Sequence, residues 1–398
     1  MNAHSDRETM QRRGNAGLIA AFMIFLWLPT ADTFLHLDRA PAPNENRAPA
    51  TMPVSKLSTK GARDFLAGLE AYFSDHFGFR KQLVRWDHHW KWQIFRDARA
   101  TQAMVGEDGW LFFSGGVMID DVMGNMPFSS AELEDWRQLL TQRRDWLAQR
   151  GIRYLFVIPP DKHTIYPEHL PRWLATAARP SRRLDQFVDY MKTRSDVPIL
   201  NLRDALLAGK ETNQVYLRTD THWNERGGFI AAREIVGKIA SLGMPVAPLD
   251  ISAFEPHAVD LPAGDLARML GRETSLGDKG ETLLEARPPL TPIQPRAEGD
   301  PGKKWVPGTE PQVTENPDKP AKVVVFRDSF AIALMKFLGC SFNRVVYVWQ
   351  QNWDKRIIER EKPDIVIDEM LERFVITRSP SELRVKDEQP NAQVFGGR

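Results

Sequence analysis

The order of apolar and polar residues predicts helices that alternate with buried strands. Apolar side chains recur at helical spacing from about residue 61, and the same spacing returns in several later stretches. Between them lie continuous apolar runs, of which Tyr154–Ile158 and Val323–Phe326 are the clearest. Shorter runs of the same kind fall at residues 197–200, 345–348 and 364–368. Runs of this length are typical of strands covered on both faces, so we expect an α/β fold with a mostly parallel central sheet between helical layers.

Two segments depart from this alternation. Gly106–Phe113 joins an acidic, glycine-containing turn to an aromatic run, which predicts a hairpin or the entry of a strand. Residues 288–321 are rich in proline and charge. We expect them to form an irregular surface insertion, because the strands predicted on either side need one another.

An apolar segment near the N-terminus carries no charge between residues 16 and 29. Arg7, Arg12 and Arg13 precede it, which predicts a cytoplasmic N-terminus and an exported remainder. The segment is short for a bilayer span of about 20 residues, so a cleaved signal peptide competes with an uncleaved anchor. Pro29 stands where a cleavage site needs a small residue, which favours the anchor. A buried core helix is the third interpretation.

These patterns divide the chain into five parts. We expect a cytoplasmic N-terminus at residues 1–13, a signal anchor or signal peptide at residues 14–35, and a proline-rich linker at residues 36–60. One folded domain then covers residues 61–378, with the insertion at 288–321 inside it. Residues 379–398 form a polar tail.

Composition narrows the classes of partner and cofactor. The 398 residues are 42% hydrophobic and 26% charged, which is ordinary for a globular protein. The formal net charge of +1 gives no electrostatic reason to expect nucleic acid as a partner. The single cysteine, Cys340, excludes intramolecular disulfides and a metal site built from cysteines. No motif in the chain calls for a cofactor.

The candidate chemistry centres on Asp220, His222 and Ser329. Ser329 follows the apolar run Val323–Phe326, and ligands of open α/β sheets gather at the carboxyl ends of the strands. A hydroxyl on a turn from strand to helix has backbone N–H groups nearby that can stabilise an oxyanion. Asp220 and His222 are two residues apart, so in an extended segment the carboxylate can orient the imidazole. Together these residues predict a nucleophilic serine site.

Each of these residues also has a simpler interpretation. A serine between a strand and a helix is commonly an N-cap. Asp220 and His222 could instead belong to a metal site or a surface turn. Asp161, His163 and His169 are the only nearby cluster in the sequence that could add ligands, and we therefore predict no metal.

Several stretches resemble the alginate O-acetyltransferase family, whose catalytic domain is similar to the SGNH hydrolases. The stretch from Asp220 to Trp223, followed by Asn224-Glu225-Arg226-Gly227-Gly228, carries the resemblance most clearly. Further stretches agree in their order along residues 61–375. They are Asp75 to Arg80, Gly106 to Phe113, Ile158 to Lys162 with Tyr166-Pro167, Gly264 to Leu266 with Met269-Leu270, and Phe326 to Phe330.

The resemblance implies an SGNH-hydrolase-like three-layer sandwich with Ser329 as nucleophile, His222 as base and Asp220 as the residue that orients it. It implies transfer of acetyl groups to hydroxyls of an exported polysaccharide. A membrane-bound acyltransferase partner would supply the acetyl group. Arg327 and Trp223 are candidate substrate contacts.

The same resemblance implies a location at the periplasmic face of the inner membrane, held by the N-terminal segment, or in the periplasm if that segment is cleaved. Two other functions fit the same residues. One is an SGNH-type carbohydrate acetylesterase, in which water takes the place of the sugar. The other is a non-catalytic polysaccharide-binding scaffold, in which Ser329 only caps a helix.

Overall fold

The computed structural model describes most of the chain beyond residue 101. The described residues are 102–288, 290, 293–299 and 310–388, with residues 50–53, 59–79, 82–83 and short pieces between residues 15 and 35. They fall into two units, one of residues 1–100 with 397–398 and one of residues 101–396.

The first unit contains the helix Thr59–His76 (α1), where helical spacing predicted one. After it the chain turns at Phe79, whose φ of 58° is left-handed and whose N–H donates to the carboxylate of Asp32 (2.8 Å). Among the described residues, no helix combines the length and the apolar character needed to cross a bilayer. The predicted membrane segment at residues 14–35 lies partly outside the described residues and stays a prediction.

The second unit is built on a mixed seven-stranded sheet with two smaller hairpins. Its strands are β1 (Ala103–Val105), β2 (Leu111–Phe113), β3 (Arg153–Ile158), β4 (Ile199–Asn201), β5 (Phe254–Pro262), β6 (Gly277–Ala286), β7 (Arg296–Ala297), β8 (Gln312–Glu315), β9 (Lys322–Arg327), β10 (Arg344–Trp349) and β11 (Ile365–Glu369). The order in the large sheet is β4-β3-β11-β9-β10-β8-β7. The first five strands of this order pair in parallel, and β8 and β7 pair antiparallel at one edge. The predicted α/β fold with a mostly parallel sheet is confirmed.

The second unit also contains helices, and several of these helices cover the two faces of the large sheet. The helices are α2 (Met118–Val122), α3 (Ser130–Ala148), α4 (Lys162–Ile165), α5 (Arg172–Ala177), α6 (Arg183–Arg194), α7 (Arg203–Lys210), α8 (Glu225–Ser241), α9 (Asp265–Met269), α10 (Met335–Gly339), α11 (Lys355–Glu361), α12 (Glu372–Thr377) and α13 (Pro380–Glu388). On one face, Phe156 of β3 packs with Trp136 of α3 and Phe187 of α6. Side chains alternate between the two faces along each strand. On the opposite face of the sheet, Tyr347 of β10 donates its hydroxyl to the Met335 carbonyl of α10 (3.1 Å).

The structure differs from the prediction in two regions expected to be irregular. β7 and β8 lie inside residues 288–321 and extend the sheet from β10. Strands of two and four residues among prolines are too short to show a hydrophobic pattern in the sequence. α13 lies in the predicted tail, where Asp387 pairs with the buried Arg143 (2.8 Å). Hydrophobic periodicity does not reveal an ion pair between residues so far apart in the chain.

Two hairpins hold the loop of residues 217–224. The hairpin predicted at Gly106–Phe113 is present as β1 and β2, and the N–H of Leu111 donates to the Arg218 carbonyl (2.9 Å). β5 and β6 form a longer hairpin that the pattern did not predict. α9 follows β5 within it, and the N–H of Ala267 donates to the Thr219 carbonyl (3.1 Å). The loop that carries Asp220 and His222 is therefore held from both sides.

Candidate active site

Ser329 lies just beyond the carboxyl end of β9, at the start of a short 3-10 helix, Ser329–Leu334. The N-cap of this helix is Asp328, whose carboxylate accepts the N–H of Phe330 (2.9 Å). Ser329 is therefore not the N-cap, although its position after a strand was compatible with that role. Its hydroxyl is left for a different contact. The helical segment after β9 is divided between this 3-10 turn and α10.

Asp328 ties the backbone on both sides of Ser329 to a neighbouring strand. Its second carboxylate oxygen accepts the N–H of Leu371 (2.8 Å), and its own N–H donates to the carboxyl of Glu369 at the end of β11 (2.9 Å). Burial raises the pKa of Asp328, and burial together with the charge of Asp328 raises the pKa of Glu369. Two buried carboxyl groups this close favour a state in which one of them keeps its proton.

His222 and Asp220 lie on a loop closed by a bridge between Tyr216 and Trp223. The Nδ1 of His222 lies 2.6 Å from Asp220 Oδ1, and that oxygen also accepts the backbone N–H of His222 (3.0 Å). The carboxylate therefore fixes both the imidazole and the backbone that carries it. This is the contact that the spacing of the two residues predicted.

On its other side, the imidazole meets the serine. His222 Nε2 lies 2.7 Å from Ser329 Oγ, although the two residues are 107 positions apart in the chain. An ionised carboxylate can only accept hydrogen bonds, so Nδ1 carries the imidazole proton and Nε2 is the acceptor for the serine hydroxyl. Carboxylate, imidazole and hydroxyl thus form one hydrogen-bonded chain, with the geometry of a Ser-His-Asp triad.

The second oxygen of Asp220 is held by α9. The N–H of Asp265 donates to Asp220 Oδ2 (2.9 Å). Burial alone would raise the pKa of Asp220, but the hydrogen bonds and charge of His222, with the Asp265 N–H, outweigh burial and lower it. Gly264 lets α9 approach this closely, because a Cβ at that position would lie 2.4 Å from the Cβ of Asp220.

Two buried charged groups anchor the same loop. Asp278 of β6 accepts the N–H of Arg218 (2.5 Å) and the hydroxyl of Thr219. Lys162 of α4 donates its Nζ to the carbonyls of Leu111 (2.9 Å) and Arg218 (3.3 Å). Burial lowers the pKa of Lys162 to about 7, against the opposing effect of the nearby carboxylates. Lys162 therefore connects β2 to the loop that carries His222.

One described cluster has the composition of a metal site. Asp220, His222 and Asp265 offer one ligand atom each within 4.8 Å of one another. Their atoms are engaged by protein partners, since the carboxylate of Asp265 accepts the N–H and the hydroxyl of Thr221 (2.7 and 2.6 Å) and Asp220 holds the imidazole. These donors account for the arrangement of the cluster, and we assign no metal to it.

The two predicted substrate contacts are buried and support the site instead. Trp223 is 2% exposed and its indole N–H donates to the Phe330 carbonyl (3.1 Å), which holds the turn after Ser329. Arg327 is 2% exposed and donates to the carbonyl of Asp328 (3.1 Å). Both were chosen for their residue types and their positions beside the motifs, and burial corrects the expectation that they contact substrate directly.

Residue types and spacing alone did not indicate several supporting residues. Lys162, Asp265 and Asp328 lie inside the stretches that carry the family resemblance, which is the signal that could have drawn attention to them. Asp278 lies in the hairpin that the pattern did not predict. All four act through contacts that the sequence does not display.

Residues 103–297 match the model of a family described as SGNH hydrolase-like domain, acetyltransferase AlgX. The probable alginate O-acetylase AlgJ of Pseudomonas aeruginosa is 27% identical over 232 residues, covering 58% of this chain and 52% of that protein. The protein of the same name from Pseudomonas fluorescens is 27% identical over 200 residues, with 48% of each chain covered. The chain spans about half the length of the curated relatives it matches.

Two solved structures are similar in fold. Bacillus cereus PatB1 with a sulfonyl adduct has a TM-score of 0.53 at 13% identity, over 70% of this chain and 98% of that one. A DHHW family protein from Eubacterium siraeum has a TM-score of 0.50 at 14% identity, over 72% of this chain and 95% of that one. The family match and the relatives confirm the resemblance that the motifs indicated: this chain has an SGNH-like α/β fold and is related to the alginate O-acetyltransferase family.

Proposed function

We propose that this protein is a polysaccharide O-acetyltransferase that works through an acetyl ester on Ser329. The observation that carries the proposal is the unbroken hydrogen-bonded chain from Asp220 through His222 to Ser329, with steps of 2.6 and 2.7 Å. The relatives are named alginate O-acetylases, which supports acetyl transfer as the reaction and a polysaccharide as the acceptor class.

The first half of the reaction forms the acyl-enzyme. His222 Nε2 takes the proton of Ser329 as Oγ attacks the acetyl carbonyl of the donor, and the leaving group departs with that proton. Asp220 keeps Nδ1 protonated and stabilises the imidazolium. The N–H of Ser329 is the candidate oxyanion donor, because the first N–H groups of a helix have no acceptor within it. The N–H of Phe330 is already taken by Asp328.

The second half passes the acetyl group to the sugar. His222 removes the proton of a sugar hydroxyl, whose oxygen attacks the acetyl carbonyl of the ester. The bond to Ser329 Oγ breaks, and the serine regains its proton from His222. Water in place of the sugar would release acetate instead, which is the esterase reaction on the same residues.

We further propose that the acceptor is an exported polysaccharide at the periplasmic face of the inner membrane. A membrane-bound acyltransferase partner would deliver the acetyl group, and the segment at residues 14–35 would hold the domain near that supply. The basic residues that precede this segment support the export of the domain.

The full chain can be tested with a small acetyl ester as donor, with and without an alginate oligosaccharide. We expect acetylated oligosaccharide from the wild type and none from Ser329→Ala. Acetate as the only product in the presence of acceptor would assign an esterase. Transfer that survives Ser329→Ala would overturn the assigned nucleophile.

A further inference from the structure

We propose that Trp349 is a stacking platform for a sugar ring of the acceptor polymer, in a subsite beside Ser329. The inference rests on the proposed function, since it names the place where that acceptor binds. Neither the motifs nor the triad geometry involves Trp349.

The position of Trp349 puts it beside the candidate nucleophile. It is the last residue of β10 and the in-register partner of Arg327, the last residue of β9. Neighbouring strands lie about 4.8 Å apart, and Ser329 follows Arg327 by two residues. Trp349 therefore lies at the same carboxyl edge of the sheet, one strand away from the segment that carries the serine.

The side chain of Trp349 is far more exposed than those of two other tryptophans near the sheet. Trp349 is 40% exposed, whereas Trp223 and Trp353 are 2% and 1% exposed. An indole buried in the core contributes packing, but an indole left open at the edge where the chemistry occurs contributes mainly a surface for contact. A tryptophan face suits a sugar ring, because it offers a flat apolar area with a polar N–H at its edge.

The guanidinium of Arg327 packs against one face of this indole. It lies 4.2 Å from the centre of the Trp349 ring, a cation–π distance. Arg327 is itself 2% exposed and held by its hydrogen bond to the Asp328 carbonyl. With the cation on one face, the other face and the edges of the ring remain for a ligand.

The occupant that fits is a pyranose ring of a polymer that carries carboxylates. The C–H face of the ring packs on the indole while its hydroxyls point outward. In this position the neighbouring part of the polymer lies near Ser329. The carboxyl groups of Asp328 and Glu369 interact with the charge of Arg327, but among the described residues neither is hydrogen-bonded to its guanidinium, and its Nε has no partner there. The positive guanidinium beneath the platform favours an acidic sugar over a neutral one.

The test uses Trp349→Ala and Trp349→Phe in the full chain, with Trp173→Ala as the matched control. Trp173 is 53% exposed on α5, so its removal also deletes an open indole. α5 follows β3, and β11 and β9 lie between β3 and the strand of Trp349 in the sheet. Acetate release from a small acetyl ester reports formation of the acyl-enzyme. Acetylation of alginate oligosaccharides reports acceptor binding, and cello-oligosaccharides serve as the neutral comparison.

We expect Trp349→Ala to raise the KM for the alginate oligosaccharide by about tenfold or more while acetate release stays within about twofold of the wild type. The KM of Trp349→Phe should lie between those of Trp349→Ala and the wild type, and the KM of Trp173→Ala should match that of the wild type. An unchanged KM in Trp349→Ala would overturn the subsite, as would a lower wild-type KM for the neutral acceptor. Failure of the wild type to react with the ester at all would instead overturn the proposed function.

Discussion

Replacing Asp220 with asparagine tests how the imidazole is held. Asp220 uses both carboxylate oxygens, one toward His222 and one toward the N–H of Asp265. Asparagine has only one acceptor oxygen. If that oxygen stays on His222, the amide NH₂ opposes the Asp265 N–H. If the amide flips, its NH₂ faces Nδ1 and forces the imidazole proton onto Nε2.

The flipped arrangement removes the base. With its proton on Nε2, His222 would donate to Ser329 Oγ instead of accepting the serine proton. The equivalent substitution in the chymotrypsin triad lowers kcat about 10⁴-fold, which corresponds to about 5.4 kcal/mol of transition-state stabilisation. We expect a loss of about 10³- to 10⁴-fold in kcat for Asp220→Asn, with KM for the ester little changed.

The assay is acetate release from a small acetyl ester, with thermal unfolding measured on the same samples. Asp250→Asn is a matched control, because Asp250 is an exposed carboxylate that caps a short helix by accepting the N–H of Ser252 (2.9 Å) and, among the described residues, does not contact the triad. That variant should retain the wild-type kcat. A folded Asp220→Asn protein with more than about a tenth of the wild-type kcat would refute the role of Asp220 in holding the imidazole.

Three further predictions concern stability. Burial raises the pKa of Asp121 to about 6, above its unfolded value, so the native state binds this proton more tightly and stability falls as pH rises from about 4 to about 6. Asp121→Asn should remove up to about 3 kcal/mol of that fall in urea unfolding, and an unchanged pH dependence would contradict the assignment. Asp328→Ala leaves two buried N–H groups without acceptors, so it should lower the free energy of unfolding by about 2–5 kcal/mol and also lower kcat for ester hydrolysis. A variant with wild-type kcat would show that Asp328 does not position Ser329. Asp387→Ala removes a partner of the buried Arg143 and should cost about 3–5 kcal/mol with kcat unchanged, whereas wild-type stability would argue against the docking of α13.

The sequence predicts those strands of the fold that carry an uninterrupted run of apolar residues. β3 and β9 are apolar along almost their whole length because both faces are covered. β5 is longer than either, but most of its residues are exposed, it contains prolines, and its pairing with β6 shifts register between Val259 and Leu261. Its pairing with β6 comes from backbone contacts that leave no apolar run, and so the hairpin is not visible in the sequence.

The triad was predictable for a similar reason, since each member carries a local signal. Asp220 and His222 have a spacing that suits an extended loop, and Ser329 follows a buried strand. The supporting residues have no such signal. Whether Asp328 or Ser329 caps the helix depends on a shift of one residue, and Asp265 reaches Asp220 only because the unpredicted hairpin folds back. Burial decides the role of Arg327, and residue type does not report burial.

The most direct test of the central claim is the detection of an acetyl ester on Ser329. The full chain is mixed with a small acetyl ester, quenched with acid and digested, and the peptide that contains Ser329 is examined by mass spectrometry. We predict an acetyl adduct on Ser329 in the wild type, a smaller one when oligosaccharide acceptor is added, and none in Ser329→Ala. Acetyl transfer to the acceptor at the wild-type rate in Ser329→Ala, with the acetyl group carried on another residue, would contradict the account.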